Sequence, residues 1–193
     1  MSETIRDGKG TGYLVGVGSS NRLDVTSRAN SRIYYASRDN EKAFIVRFHG
    51  QSATGGTSEP LGYITYTGND SLIIEQAIVC TEEIANTNTA MTKFGFWLNP
   101  TSLSGGTSVD SVNLNTSSNL TSESTCMHNN DGSNVITWTN GNSIQTVRLS
   151  GPMTYEINFN SALILGKNNT FGITLNSTTT GVKVRATILY YEE

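Results

Sequence analysis

The chain has 193 residues, a formal net charge of −3, only 15% charged residues, and nearly half of its positions are Ser, Thr, Asn or Gly. That length allows one all-β domain with a core of its own plus a tail, and a composition so rich in hydroxyls and amides favours turns and strands over helices. No window approaches the apolar run of a membrane helix, which excludes such a span, and three prolines are too few for a proline-rich linker.

Through Arg38 the basic residues outnumber the acidic ones, whereas the remainder is acidic. A basic head has the sign to sit on an acidic partner surface. The opening residues Met1 to Gly10 lack an apolar signal core, so synthesis without Sec-type export is expected. Cys80 and Cys126 have no metal-ligand spacing and are expected to be two unpaired thiols.

Residues 1 to 38 differ from the rest of the chain. Gly8, Gly10, Gly12, Gly16 and Gly18 punctuate Tyr13-Leu14-Val15, and Leu23, Val25, Ile33, Tyr34 and Tyr35 are too widely spaced to nucleate a core. The segment up to residue 42 is therefore predicted to be an extended arm with two very short strands, ordered against a partner or the domain surface. Gly8-Lys9-Gly10-Thr11-Gly12 has neither the spacing nor the helix of a phosphate loop.

From Ala43 the pattern becomes period two, the signature of strands. Phe44, Val46 and Phe48 alternate with Ile45, Arg47 and His49, and Leu61 to Thr67 is extended again. In Ser71 to Cys80, Leu72, Ile74, Ile78 and Cys80 fall on one face and Ile73, Ala77 and Val79 on the other, which predicts an interior strand or one covered by a neighbouring subunit. Phe94, Phe96 and Leu98 point inward with Trp97 opposite, and Asn99-Pro100 ends that strand. Val109, Val112 and Leu114 form a weak strand before a polar stretch, Asn115 to Ser133. Within it Asn129-Asn130-Asp131-Gly132 offers oxygen donors but lacks the spacing and closing glutamate of a calcium loop, and reads as a turn. Asn140-Gly141, between Val135–Trp138 and Ile144–Leu149, is the strongest hairpin signal. After Gly151-Pro152, Tyr155, Ile157 and Phe159 alternate with polar residues. The last thirty residues read as three strands: Leu163 with Leu165; Phe171, Ile173 and Leu175; and Val182, Val184, Ala186, Ile188 and Tyr190, with Lys183, Arg185, Thr187, Leu189 and Tyr191 on the wetter face.

About ten strand candidates without a convincing helix predict an all-β fold, a jelly-roll-like antiparallel β-sandwich over residues 43–193 preceded by the arm, 1–42. Catalytic chemistry is not expected. His49 and His128 have no nucleophile or metal-binding partner in any short motif, and the carboxylates are scattered. No metal or cofactor is predicted. Trp97 and Tyr191 point away from the predicted core, so with Arg22, Arg28, Arg32, Tyr34 and Tyr35 they are the predicted interface residues.

Three groups of residues carry a resemblance to a known class. They are Asp7 to Tyr13 with Val17 to Val25; Asn99-Pro100-Thr101 with Ser104 to Thr107 and Val112 to Asn115; and the ending Thr180 to Glu193. Together they resemble a loosely defined group of tailed-bacteriophage virion proteins, in which a short N-terminal arm precedes a β-sandwich that assembles on the particle. The shared residues are turn and strand positions without chemistry. The resemblance implies a non-enzymatic capsid decoration or cement protein, made in the host cytoplasm and located in the virion, that binds the phage major capsid protein. It further implies a homo-oligomer, a trimer ahead of a dimer, with neither membrane nor nucleic acid as partner. A tail or baseplate structural protein and a carbohydrate-binding host-adhesion module are the alternatives. The chain departs from a receptor-binding fibre in having no long repetitive shaft and no evident sugar-binding cluster.

Overall fold

A computed structural model describes residues 5–6, 14–15, 32–51, 55–83, 91–129 and 135–193. Its elements are β1 (Ile5–Arg6), β2 (Leu14–Val15), α1 (Arg32–Arg38), β3 (Ala43–Gln51), β4 (Ser58–Tyr66), β5 (Leu72–Glu83), β6 (Met91–Leu98), β7 (Thr101–Ser104), β8 (Thr107–Ser108), β9 (Val112–Asn113), β10 (Ser124–His128), β11 (Thr137–Thr139), β12 (Asn142–Ser150), β13 (Thr154–Leu165), β14 (Thr170–Ser177) and β15 (Lys183–Glu192). The chain divides into a first unit, Met1–Ser31, and a second, Arg32–Glu193. In the first, β1 and β2 pair antiparallel with Ile5 opposite Val15.

The second unit holds two large antiparallel sheets, ordered β12-β6-β14-β4-β10-β8 and β13-β5-β15-β3-β9, together with the small pair β11-β7. The large sheets face each other across one core, as in a β-sandwich. Period two explains which residues fill it. Phe44, Val46 and Phe48 of β3, Phe94 and Phe96 of β6, Phe171 and Ile173 of β14, and Val184, Ala186, Ile188 and Tyr190 of β15 are all at most 1% exposed. Phe96 stacks on Phe171 at a centroid distance of 6.1 Å and Phe44 on Tyr190 at 5.7 Å. Each large side chain buried in this way contributes about 1.5 to 3 kcal/mol relative to exposure.

Strict alternation fails in β5. Glu75 is an extra residue, since Gln76 lies opposite Leu189 and Ile74 opposite Tyr190. The bulge moves the core face from Leu72 and Ile74 to Ala77 and Val79, so the grouping of Leu72 and Ile74 with Ile78 and Cys80 is corrected. Across the same bulge β13 skips from Asn158 to Leu163 in its pairing with β5. Asn160 and Ser161 there have φ of 50° and 60°, and Ser161 Oγ donates to Glu75 Oε2 at 2.7 Å.

The Asn140-Gly141 signal is correct for the backbone and wrong for the pairing. Both residues have positive φ, 56° and 103°, but β11 pairs with β7 and β12 with β6. The turn is one half of a corner. Its other half is Asn99-Pro100, with Asn99 at φ 50°, and a Cβ on Gly141 would stand 3.2 Å from Pro100 Cα. The β6–β12 ribbon folds over at this corner and continues as β7–β11.

Two further departures concern polar sequence. The stretch 115–133 contains β10, which pairs with β4 along its whole length and with β8 at its end; alternation is hard to see in Ser-Thr-Cys-Met-His because only Cys126 turns into the core. Residues 32–38, predicted to be extended, form α1. Ile33 and Ala36, three apart on one helical face, pack on Ala43, Ile73 and Tyr191.

Candidate functional site

α1 presents the predicted residues that the fold brings together. Its inward face is used up on Ala43, Ile73 and Tyr191, which leaves Arg32, Tyr34, Tyr35 and Arg38 on the outside. Tyr34 and Tyr35 are 43% and 42% exposed, with ring centroids 5.9 Å apart and planes at 79°. The Arg38 guanidinium carbon lies 5.1 Å from the centre of Tyr34 and 5.9 Å from that of Tyr35, within cation–π range. Arg38 Nη1 donates to Tyr34 Oη at 3.2 Å, Nε to Asp39 Oδ1 at 2.6 Å and Nη2 to Asp39 Oδ2 at 3.2 Å. Hydrogen bonding to Asp39, then to Tyr34, holds the arginine pKa above its ordinary value, and the same Arg38 contact lowers that of Asp39. The result is an ordered, solvent-facing group of two aromatic rings and a guanidinium, the residue types that carry most binding energy in protein interfaces.

A second cluster is buried. The Tyr190 hydroxyl lies 2.5 Å from Ser111 Oγ and 2.9 Å from both Ser122 Oγ and Ser124 Oγ. Ser122 Oγ donates to Glu192 Oε1 at 2.5 Å, and the Glu123 amide donates to the same oxygen at 3.0 Å. Cys126 Sγ is 3.5 Å from Ser111 Oγ, and a cavity of about 220 Å³ opens beside Ser111, Ser122 and Cys126. Burial pushes the Tyr190 hydroxyl, the Cys126 thiol and the Glu192 carboxyl all upward. Tyrosine and thiol therefore stay protonated at neutral pH, which suits hydrogen bonding and not nucleophilic attack. The two histidines also meet: His128 Nδ1 accepts from the His49 backbone amide at 3.2 Å.

The remaining predicted residues are dispersed. Trp97 is half-buried on the outer face of the six-stranded sheet, its Nε1 donating to Thr174 Oγ1 at 3.0 Å, on the side of the sandwich away from α1. Tyr191 does point away from the main core, but at 2% exposure it is no surface residue, because α1 covers it. Ile73 of β5 is buried under the same helix, so part of its second apolar face is explained within the chain. Arg22 and Arg28 lie outside the described residues, as do positions 130–132 of the Asn129–Gly132 turn. Cys80 and Cys126 are both free thiols. Among the described residues no group of three or more His, Cys, Asp or Glu side chains is placed to hold a metal ion.

Sequence reasoning missed the edges of the sandwich that no further strand pairs among the described residues. β12 and β13, the terminal strands of the two sheets on one side, expose Ile144, Tyr155 and Ile164, and Met153 between them is exposed as well. Their strand character was legible; their position at the edge depends on pairing across the whole chain and leaves no local signal.

No family model matches the chain and no curated protein matches it. Among solved structures it is similar to a chain of "Structure of infectious bursal disease virus Gx strain", with 15% identity and a TM-score of 0.20, over 78% of this chain and 41% of that one. The chain thus spans less than half the length of that structure's chain, and so remote a likeness carries no argument about fold or function.

Proposed function

We propose that this chain is a non-enzymatic structural component of a tailed-phage virion, a capsid decoration or cement protein that binds the major capsid protein through the outer face of α1. The observation that carries the reading is the exposed Tyr34–Tyr35–Arg38 group, held rigid by its own contacts and by the anchoring of Ile33 and Ala36. A preorganised aromatic and arginine surface costs little ordering entropy on binding. The resemblance of both termini and of residues 99–115 to tailed-phage virion proteins supplies the class.

The sandwich itself is proposed to be a jelly roll. The order β3-β15-β5-β13 faces β4-β14-β6-β12, and the long strands alternate between sheets except where β6 and β12 lie side by side. Two interlocked Greek keys would have this order, with residues 99–140 as an excursion between β6 and β12. Capsid and lectin domains both use this architecture, so it favours no function by itself. The exposed edges β12 and β13 supply a surface for contact between copies, in keeping with a homo-oligomer, a trimer ahead of a dimer.

The test is binding of purified full-length chain to phage particles assembled without it. The native chain is expected to bind capsids, and the triple variant Tyr34→Ala, Tyr35→Ala, Arg38→Ala to bind about tenfold or more weakly at unchanged thermal stability. Equal binding by the variant would reject α1 as the docking face. Attachment to tails alone would favour the tail or baseplate alternative.

A further inference from the structure

The edge strands β12 and β13 each carry a single charged residue, Arg148 on one and Glu156 on the other. Both are exposed, and both point to the outer faces of their sheets, because the adjoining Val147, Leu149 and Ile157 lie in the core. Arg148 stands directly opposite Lys93 of β6. A cross-strand pair of like charges is unfavourable, and β6, β12 and β14 contain no acidic residue to offset it. Among the described residues neither cation has a side-chain hydrogen bond or an ion pair. Glu156 is the complement. Its Oε1 accepts from Gln76 Nε2 at 2.5 Å and from Asn158 Nδ2 at 3.0 Å, which fixes the carboxylate, while Oε2 keeps its acceptor capacity.

The chain order places these two charges at matching heights. β12 ends at Ser150, β13 begins at Thr154, and residues 151–153 join them. So short a link between facing sheets reverses the chain, and the two strands run in opposite directions from one end of the sandwich. Counting away from the link, Ser150 matches Thr154, Leu149 matches Tyr155, Arg148 matches Glu156 and Val147 matches Ile157. The stretches 145–150 and 154–158 pair regularly with their own sheets, the bulges lying beyond them. A rotation about an axis parallel to the strands preserves height and direction, so it sets β12 of one copy antiparallel to β13 of the next in this register. On the inner side apolar residues then meet apolar ones, and Tyr155, exposed in the single chain, gains cover from Leu149. On the outer side Arg148 meets Glu156, a favourable cross-strand pair.

We infer that the occupant of these edges is a second copy of this chain, β12 of one copy adding to β13 of the next as an antiparallel ladder in which Arg148 pairs with Glu156 of the neighbour. The inference rests on the contact between copies proposed above and gives it strands, register and polarity. Because β12 meets β13 and never its own equivalent, the same contact closes a ring of two copies or of three. Pairing β12 with another β12 would instead join two basic edges.

The test follows self-association of the full-length chain by sedimentation velocity across micromolar concentrations, for the native protein, Arg148→Glu, Glu156→Arg and the double variant. The native chain is expected to associate. Each single reversal sets like charges across the ladder and should weaken association by about tenfold or more. The double reversal restores the pair with its signs exchanged and should return association to within about threefold of native. Thermal melts should be alike for all four, since both side chains are exposed. A native chain that stays monomeric refutes contact between copies and the ladder with it. An oligomer indifferent to both single reversals, or one that the double reversal fails to rescue, overturns the ladder alone and moves the contact between copies to another surface.

Discussion

The two sides of the sandwich are finished in different ways. On one, the sheets end in β8 and β9, two residues each; on the other they end in β12 and β13, of nine and twelve. The short-edged side is sealed by polar contacts. Asn113 Nδ2 donates to the carbonyls of Glu41 and Leu120 at 2.7 and 3.1 Å, Asn113 and Asn115 accept backbone amides two residues on, and the Tyr190 hydroxyl meets three serines nearby. The long-edged side has bulges instead. Ile144 is the extra residue between Ser143 and Gln145 against β6, and β13 loops out between Asn158 and Leu163. Short strands and bulges are alternative ways to blunt an edge. Bulges leave regular stretches on either side, and here they leave Ile144 40%, Tyr155 46% and Ile164 56% exposed. A polar, core-poor sequence closes one side, while two well-patterned strands leave the other available to a neighbour.

The largest expected effect breaks both sides at once. β15 lies two strands from either edge of its sheet, and Ile188 is fully buried. Ile188→Asp places a carboxylate in that core at a cost of several kcal/mol, so loss of the cooperative transition in urea is expected; a native-like transition would remove β15 from the core.

Next in size is the helix, which packs on β15 and β3. A chain starting at Ala43 lacks α1 and uncovers Ile73 and Tyr191, and it should be about 2 to 4 kcal/mol less stable in urea than one starting at Arg32. Equal stabilities would mean that α1 contributes nothing to the fold.

A smaller effect tests the sealed side through pH. Burial raises the Glu192 carboxyl above its ordinary 4.5, against hydrogen bonds from Ser122 and Glu123 that lower it. A raised folded-state pKa means that the folded protein holds this proton more tightly. Its contribution is complete below pH 4.5 and is lost as pH rises through the folded value. Thermal melts between pH 4.5 and neutrality should show the native chain losing more stability than Glu192→Gln; parallel profiles would contradict the burial of that charge.

The smallest effect on stability is expected on the open side. Ile144→Lys combined with Tyr155→Lys should change it by less than about 0.5 kcal/mol while abolishing self-association measured by sedimentation velocity. An unchanged oligomer would take the contact between copies away from these edges.

This contrast also explains what the sequence revealed. Where a strand runs between two others with one face in the core, as in Val182 to Tyr190, alternation named every buried residue. It failed at Glu75, where one extra residue exchanges the faces and only pairing with β15 and β13 shows it. It failed at Asn140-Gly141, where local turn chemistry was legible but the partner strands were not. The helix α1 escaped notice because seven residues with two inward side chains carry too little periodicity. Of the predicted interface, Arg32, Tyr34 and Tyr35 share one exposed helix, Trp97 is on the opposite sheet and Tyr191 is buried by that helix.

A map of the intact virion at side-chain resolution tests the proposed role most directly. The account predicts this sandwich on the outer surface of the capsid, with Tyr34, Tyr35 and Arg38 against the major capsid protein and β12 or β13 against a neighbouring copy. Virions without the chain, or a bound copy with α1 turned to solvent, would contradict it.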